Sequence, residues 1–310
     1  MSNQYKYTII IPHYNIPDLL VRCIKSIPQR EDCQVVVVDD NSPNMSCDVG
    51  RIPELNLPNV ELYKTPYNGG GGLARNIGLK YAKGEKILFA DADDFFVDDF
   101  SEILDEYKED DSDLIFFNTE SVFSEDVKQH SNRTKRFLFD QYLKNGDINI
   151  IKQGYTEPWG KIYKSEIIRS NNIKFDETPV ANDVMFSLQT AFCSKKVKVV
   201  DRPIYVVTTR LNSVSYLGID TIEKLQTRLL VTARAQLFLE KQGITQKPMK
   251  VFDYMVNLSH RNFLLFIKNL FKLQIMGIST IRLLYQIFIF RILAPEKRKR
   301  VSITKSSYHK

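Results

Sequence analysis

This 310-residue sequence predicts an α/β fold, with helices on both faces of a mostly parallel sheet. Three observations carry that expectation. Up to Asp94, apolar β-branched runs take turns with helically spaced segments. The main runs are continuously apolar, as strands buried on both faces of a parallel sheet are. They also end in polar or acidic residues, where ligands of such sheets collect.

Tyr7-Thr8-Ile9-Ile10-Ile11 reads as the first strand, stopped by Pro12-His13-Tyr14-Asn15. Asp18 to Ile27 sets Leu19, Leu20, Cys23, Ile24 and Ile27 at helical spacing. The second strand, Gln34 to Val38, ends in Asp39-Asp40-Asn41-Ser42, and Val60-Glu61-Leu62-Tyr63 is a weaker third. Gly69 to Gly72 then leads into a helix over Leu73 to Ala82. Such a run is either a flexible helix start or a place where backbone amides approach a phosphate or sugar closely. It fits neither the GxGxxG nor the P-loop pattern.

Ile87-Leu88-Phe89-Ala90 is the next strand, and it runs straight into Asp91-Ala92-Asp93-Asp94. Burying lone carboxylates is prohibitive, so this is an Asp-rich turn or a ligand site. On an extended backbone Asp91 and Asp93 share one face. Two hard oxygen donors there suit Mg²⁺ or Mn²⁺.

A helix from Phe100 to Tyr107 and a strand from Asp113 to Phe117 follow. Glu120 to about Arg136 reads as a polar surface excursion with a solvated His130, and Phe137 to Ile151 as partly helical. Val197–Val200 and Ile204–Val207 read as two closing strands. Beyond Asp220 the pattern turns helical, over Thr221–Gln242, Pro248–Phe271 and Ile275–Leu293, before Pro295-Glu296-Lys297-Arg298-Lys299-Arg300. The expected division is a first domain at 1–218 and a helical region with a basic tail at 219–310.

Composition narrows the class. Hydrophobic content of 43% and charged content of 26% suit a folded protein with a sizeable core. A net charge of +6 without any recognisable reading module argues against a nucleic-acid partner. Cys23, Cys33, Cys47 and Cys193 show no CxxC or Cys/His pairing, as expected of reduced thiols. With no signal-like leader and no long uncharged apolar span, a cytoplasmic location is expected.

Four motifs occur together in one order: Ile11-Pro12-x-Tyr14-Asn15; Val38-Asp39-Asp40-x-Ser42; Asn68-x-Gly70 followed by Ala74-Arg75-Asn76-x-Gly78; and Asp91-x-Asp93-Asp94. The set resembles family 2 glycosyltransferases, over roughly residues 5 to 215. The resemblance implies a GT-A fold, a single Rossmann-like nucleotide-diphosphate-sugar domain. It implies that Pro12, Tyr14 and Asp40 line the nucleoside pocket, with Asp40 and Arg75 facing the base. Asp91 and Asp93 would meet the ribose and a metal-bound diphosphate, the metal being Mn²⁺ or Mg²⁺.

Three later segments extend it. In Glu157-Pro158-Trp159-Gly160-Lys161, Trp159 is either a core aromatic or, by resemblance, an acceptor-side ring with Lys161 beside it. At Asn182-Asp183 the family carries a Glu-Asp pair whose Asp is the catalytic base. Asp183 is retained, Asn182 replaces the Glu, and an acid opening a helix can also simply favour its dipole. Arg210-x-Asn212-Ser213-x-Ser215 resembles a segment near the diphosphate, making Arg210 a cation for the leaving group or a surface residue.

The resemblance thus implies an inverting, metal-dependent transferase. It would move a sugar from a nucleotide-diphosphate donor, UDP being favoured, to a glycan or lipid-linked glycan in surface polysaccharide synthesis. The basic, apolar helices fit peripheral contact with the inner face of the plasma membrane, or packing on the first domain or in a homodimer. The rival readings are a nucleotidyltransferase and a non-catalytic nucleotide-sugar or partner-binding protein.

Overall fold

The computed structural model describes residues 5–43, 52–210, 221–244, 251–281 and 283–284. Cys47, the Asn212-Ser213-x-Ser215 segment and the basic tail lie outside them. The chain divides into two compact units, Met1–Ile219 and Asp220–Lys310.

The first unit is built on strands β1 (Tyr7–His13), β2 (Cys33–Asp39), β3 (Val60–Lys64), β4 (Lys86–Phe89), β5 (Phe95–Phe96), β6 (Leu114–Phe123), β7 (Lys161–Lys164) and β8 (Val197–Thr209). They form one sheet in the order β3-β2-β1-β4-β7-β6-β8-β5. Pairs β1–β2, β2–β3, β1–β4 and β6–β8 are parallel, whereas β4–β7, β6–β7 and β5–β8 are antiparallel. The main helices are α1 (Pro17–Lys25), α2 (Gly70–Tyr81), α3 (Phe100–Glu106), α4 (Arg136–Asn145), α5 (Ile148–Gly154), α6 (Ser165–Ser170) and α7 (Val184–Cys193). Ile9, Ile10, Ile11 and Val35 to Val38 are buried in the core, each apolar side chain contributing about 1.5–3 kcal/mol.

Several expectations change. β1 does not stop at Pro12, because its pairing with β4 ends at Ile10↔Phe89. Past that point one edge of β1 is open, so the missing proline N–H costs no ladder bond there. Helix α2 begins at Gly70 rather than Leu73, so three glycines form its first turn. Strand β6 runs on through residues read as a surface excursion, because their polar groups find partners. Asn118 donates to Asp201 at 2.8 Å, and the Arg133 N–H donates to the Ser121 hydroxyl at 2.9 Å. His130, which is exposed, bridges back to Val122. The two closing strands are one, β8, with its irregularity near Pro203. Cys23, Cys33 and Cys193 are free thiols.

The second unit has helices α8 (Ile222–Lys241), α9 (Val251–Arg261) and α10 (Phe263–Met276). Leu225, Leu229, Met255, Leu258, Phe266 and Leu273 form its own core. The helix expected over Pro248–Phe271 is broken at Asn262, whose side chain caps α10 by accepting the Leu265 N–H. Gly277, at φ +100°, ends α10 within the stretch expected to be the third helix. No described helix is long and apolar enough to cross a membrane.

Candidate active site

The carboxyl ends of β1, β2 and β4 meet the start of α2, the segment before α7 and the end of β8. At the end of β4 the chain leaves the sheet, and Asp91 to Asp94 form a turn closed by the Asp94 N–H on the Asp91 carbonyl at 3.0 Å. The turn, not an extended strand face, therefore gathers these side chains. Ligand oxygens of Asp91, Asp93 and Asp94 all lie within 4.8 Å of one another. Strand β8 pins the turn: the Tyr205 hydroxyl accepts the Asp91 N–H at 2.7 Å, and the Thr208 N–H donates to the Asp94 carboxylate at 2.6 Å. Arg22 of α1 and the Thr208 hydroxyl both donate to the Asp93 carbonyl. Burial, and then the neighbouring negative charges, raise the Asp93 and Asp94 carboxyls above the usual carboxylate range. Crowded hard oxygens of this kind fit a divalent cation.

Two further arginines pair with carboxylates of the turn. Arg210 pairs with Asp93 at 3.0 Å. Arg75, buried on α2, donates to Asp91 at 2.5 Å and to the Asn182 side chain at 3.1 Å, with its guanidinium 5.3 Å from the centre of the Phe175 ring. Arg75 therefore ties the aspartate turn to the segment carrying Asp183. Glycines make this possible. A Cβ at Gly72 would come 2.1 Å from the Asp176 carbonyl, so only glycine lets α2 approach that segment. Asn76 holds the same segment, exchanging hydrogen bonds with the Phe175 backbone.

The acids ending β2 are placed differently. Asp40 is buried and accepts from the Thr65 hydroxyl and the N–H groups of Gly69 and Gly70, at 3.0, 3.0 and 2.7 Å. The glycine run thus turns its first amides onto a carboxylate of this chain. Asp39 accepts from Ser42 and faces His13 Nδ1 at 3.0 Å, while His13 Nε2 accepts the Ile16 N–H. Beyond β1, Pro12 is half-buried and Tyr14 is 46% exposed, its ring open to a planar partner.

Asp183 immediately precedes α7, and its side chain makes no capping bond there. Burial pushes its carboxyl up to about 6, against the opposing pull of Arg75. Nearby, Trp159 is buried and stacked on Tyr205, and Lys161 is fully enclosed. The Lys161 ammonium donates to the Tyr155 and Glu157 carbonyls, both at 2.6 Å, and burial lowers its pKa to about 7. Both side chains are therefore enclosed, as the core-aromatic reading of Trp159 expects, and leave little surface for direct contact with an acceptor. Lys135 pairs with Glu157 at 2.6 Å.

Sequence reasoning missed Arg22, Tyr205 and Thr208. Thr208 and Thr209, closing the apolar run of β8, carried the same polar strand-end signal used elsewhere. Arg22 and Tyr205 had no local signal, because their partners lie far along the chain.

Comparison with known proteins settles the family. The model for Glycosyl transferase family 2 matches residues 8–170, over half of the chain. The chain belongs to that family. Among curated family relatives, a poly(ribitol-phosphate) beta-glucosyltransferase of Bacillus spizizenii is 29% identical over 204 residues, 63% of this chain and 31% of that protein. The Staphylococcus aureus poly(ribitol-phosphate) beta-N-acetylglucosaminyltransferase TarS is 28% identical over 216 residues, 66% of this chain and 36% of that one. The chain thus spans about a third of the length of these two relatives. Its fold matches that of TarS residues 1–349 in complex with UDP-GlcNAc, with a TM-score of 0.60 at 20% identity, covering 82% of this chain and 71% of that one. A mannosyltransferase of Pyrobaculum calidifontis in complex with GDP-Man and Mn²⁺ matches with a TM-score of 0.52 at 17% identity, covering 99% and 85%. The GT-A architecture is therefore common to all three. The family match includes Pro12 to Lys161 but stops short of Asp183 and Arg210.

Proposed function

We propose that the chain transfers a sugar from a nucleotide-diphosphate donor, UDP-linked by preference, to a hydroxyl of a glycan or lipid-linked glycan in surface polysaccharide synthesis. Catalysis is assigned to residues 1–218, working at the inner face of the plasma membrane. The observation that carries this reading is the link made by Arg75, which joins the aspartate turn to the segment bearing Asp183.

In this mechanism Asp183 takes the proton from the acceptor hydroxyl as its oxygen bonds to the anomeric carbon. The bond to the diphosphate breaks on the opposite side, so one displacement inverts the configuration. A carboxyl raised to about 6 suits that task near neutral pH, being ionised yet more basic than an ordinary aspartate. Asp91 and Asp93 would hold Mn²⁺ or Mg²⁺, which supplies positive charge to the departing diphosphate. Arg210 adds a second cation at the same edge. Tyr14 would stack on the base with Pro12 beside it, while Asp40 shapes the nucleoside pocket by fixing the glycine turn. Trp159 and Lys161 shape the acceptor side from beneath.

The test is nucleotide-diphosphate release across UDP-, GDP- and dTDP-sugars, with and without Mn²⁺ or Mg²⁺. Slow metal-dependent hydrolysis of one donor, lost in Asp93→Ala, is the expected result. Failure to bind any donor would end the reading. Binding with no turnover, even with glycan acceptors supplied, would favour the non-catalytic alternative.

A further inference from the structure

The second unit carries an apolar face that its own core does not use. Helix α10 turns Phe266, Asn269 and Leu273 inward, where they are buried. Leu264, Phe271 and Ile275 are 83%, 68% and 87% exposed. Phe271 and Ile275 follow Leu264 by seven and eleven residues, near whole turns, so the three form one stripe opposite the core. Ile281 adds a further exposed side chain beyond the helix. Exposed Lys268 and Lys272 flank the stripe.

The charge pattern says what can cover it. From Tyr254 to Pro295 the sequence contains no Asp or Glu, while it contains Arg261, Lys268, Lys272, Arg282 and Arg291. A second copy docked through the same face would set Lys268 and Lys272 against themselves, with no acid anywhere in α10 to pair them. A fluid anionic surface answers both features at once, taking the apolar side chains between acyl chains and the lysines among headgroups. We propose that the α10 face, with Leu264, Phe271 and Ile275 inserted and Lys268 and Lys272 at headgroup level, docks this protein on an anionic lipid bilayer. The inference deepens the membrane location in the proposed function, and its observations lie in the second unit alone, so it stands or falls separately from the donor chemistry.

The experiment is co-sedimentation of the full chain with vesicles of equal parts phosphatidylglycerol and phosphatidylcholine, against pure phosphatidylcholine, at low and high salt. Binding to the anionic vesicles is expected, weakened by salt. Phe271→Ser with Ile275→Ser should weaken it at least tenfold, and Lys268→Glu with Lys272→Glu should do so comparably. All four positions are exposed, and an unchanged thermal transition verifies folding. Absence of binding to either vesicle overturns the proposal, as does equal binding to both that ignores the charge reversal. A wild-type dimer in sedimentation velocity that the serine variant dissolves, without vesicle binding, would assign the face to a second copy and overturn it too.

Discussion

At the end of β2 the carboxylates of Asp39 and Asp40 are met by hydroxyls, an imidazole and backbone amides, supplied by the end of β1, the start of α2 and the loops beside them. At the end of β4 the carboxylates of Asp91, Asp93 and Asp94 are packed against one another, with Arg75 and Arg210 as the cations beside them. In sequence the two strand ends look alike. The difference teaches that an acid pair can be scaffold when its acceptors are matched by internal donors. It becomes a candidate site when like charges are crowded beyond what the fold neutralises.

The sharpest test of that distinction starts at Asp183, the proposed base. Asp183→Asn should lower sugar transfer about a thousandfold, with donor binding retained, measured as kcat and KM for nucleotide release. Its stability should hold or rise. A carboxyl raised by burial favours folding only while protonated, and that contribution fades as pH climbs through about 6. At neutral pH the ionised group is a cost that the amide removes. Asp93→Asn should lower activity about a hundredfold and abolish its dependence on Mn²⁺.

Asp40→Asn should behave in the opposite way. It sets an amide against donors that need an acceptor, costing about 2–3 kcal/mol and lowering the Tm by several degrees, read by calorimetry. If Asp40→Asn left the Tm untouched, the β2 end would not be the scaffold described. The smallest effect is one of pH. The kcat/KM profile should rise with an inflection near 6 as Asp183 ionises, then level off. Arg75 favours the ionised form, so Arg75→Gln should move that inflection upwards, whereas Arg75→Lys should move it less.

The parallel half of the sheet was legible because β1, β2 and β4 are continuous apolar runs, buried on both faces, whose pattern depends on nothing distant. The other half was less so. β6 continues through Asn118, Thr119, Glu120 and Ser121, which look like loop until Asp201, Ser131 and Arg133 are in place to satisfy them. Strand β7 was visible only as a motif, since Lys161 interrupts its apolar pattern and is tolerated through two carbonyls and the rings around it. Asp91, Asp93, Asp183 and Arg210 could be named from sequence through the family resemblance, since spacing alone also fits an Asp-rich turn, a helix-dipole acid and a surface cation. That Arg75 would bond Asp91 and Asn182, and that Asp40 would be spent on Gly69 and Gly70, depended on the close approach permitted by Gly72 and on the turn of the glycine run. Neither is written in residue spacing.

The most direct test is UDP binding by calorimetry with and without Mn²⁺, in the wild type, Asp93→Asn and Asp40→Asn. The account predicts at least tenfold tighter binding with metal in the wild type, an increment lost in Asp93→Asn and kept in Asp40→Asn. An increment that survives in Asp93→Asn and vanishes in Asp40→Asn would contradict it, assigning the metal to the end of β2.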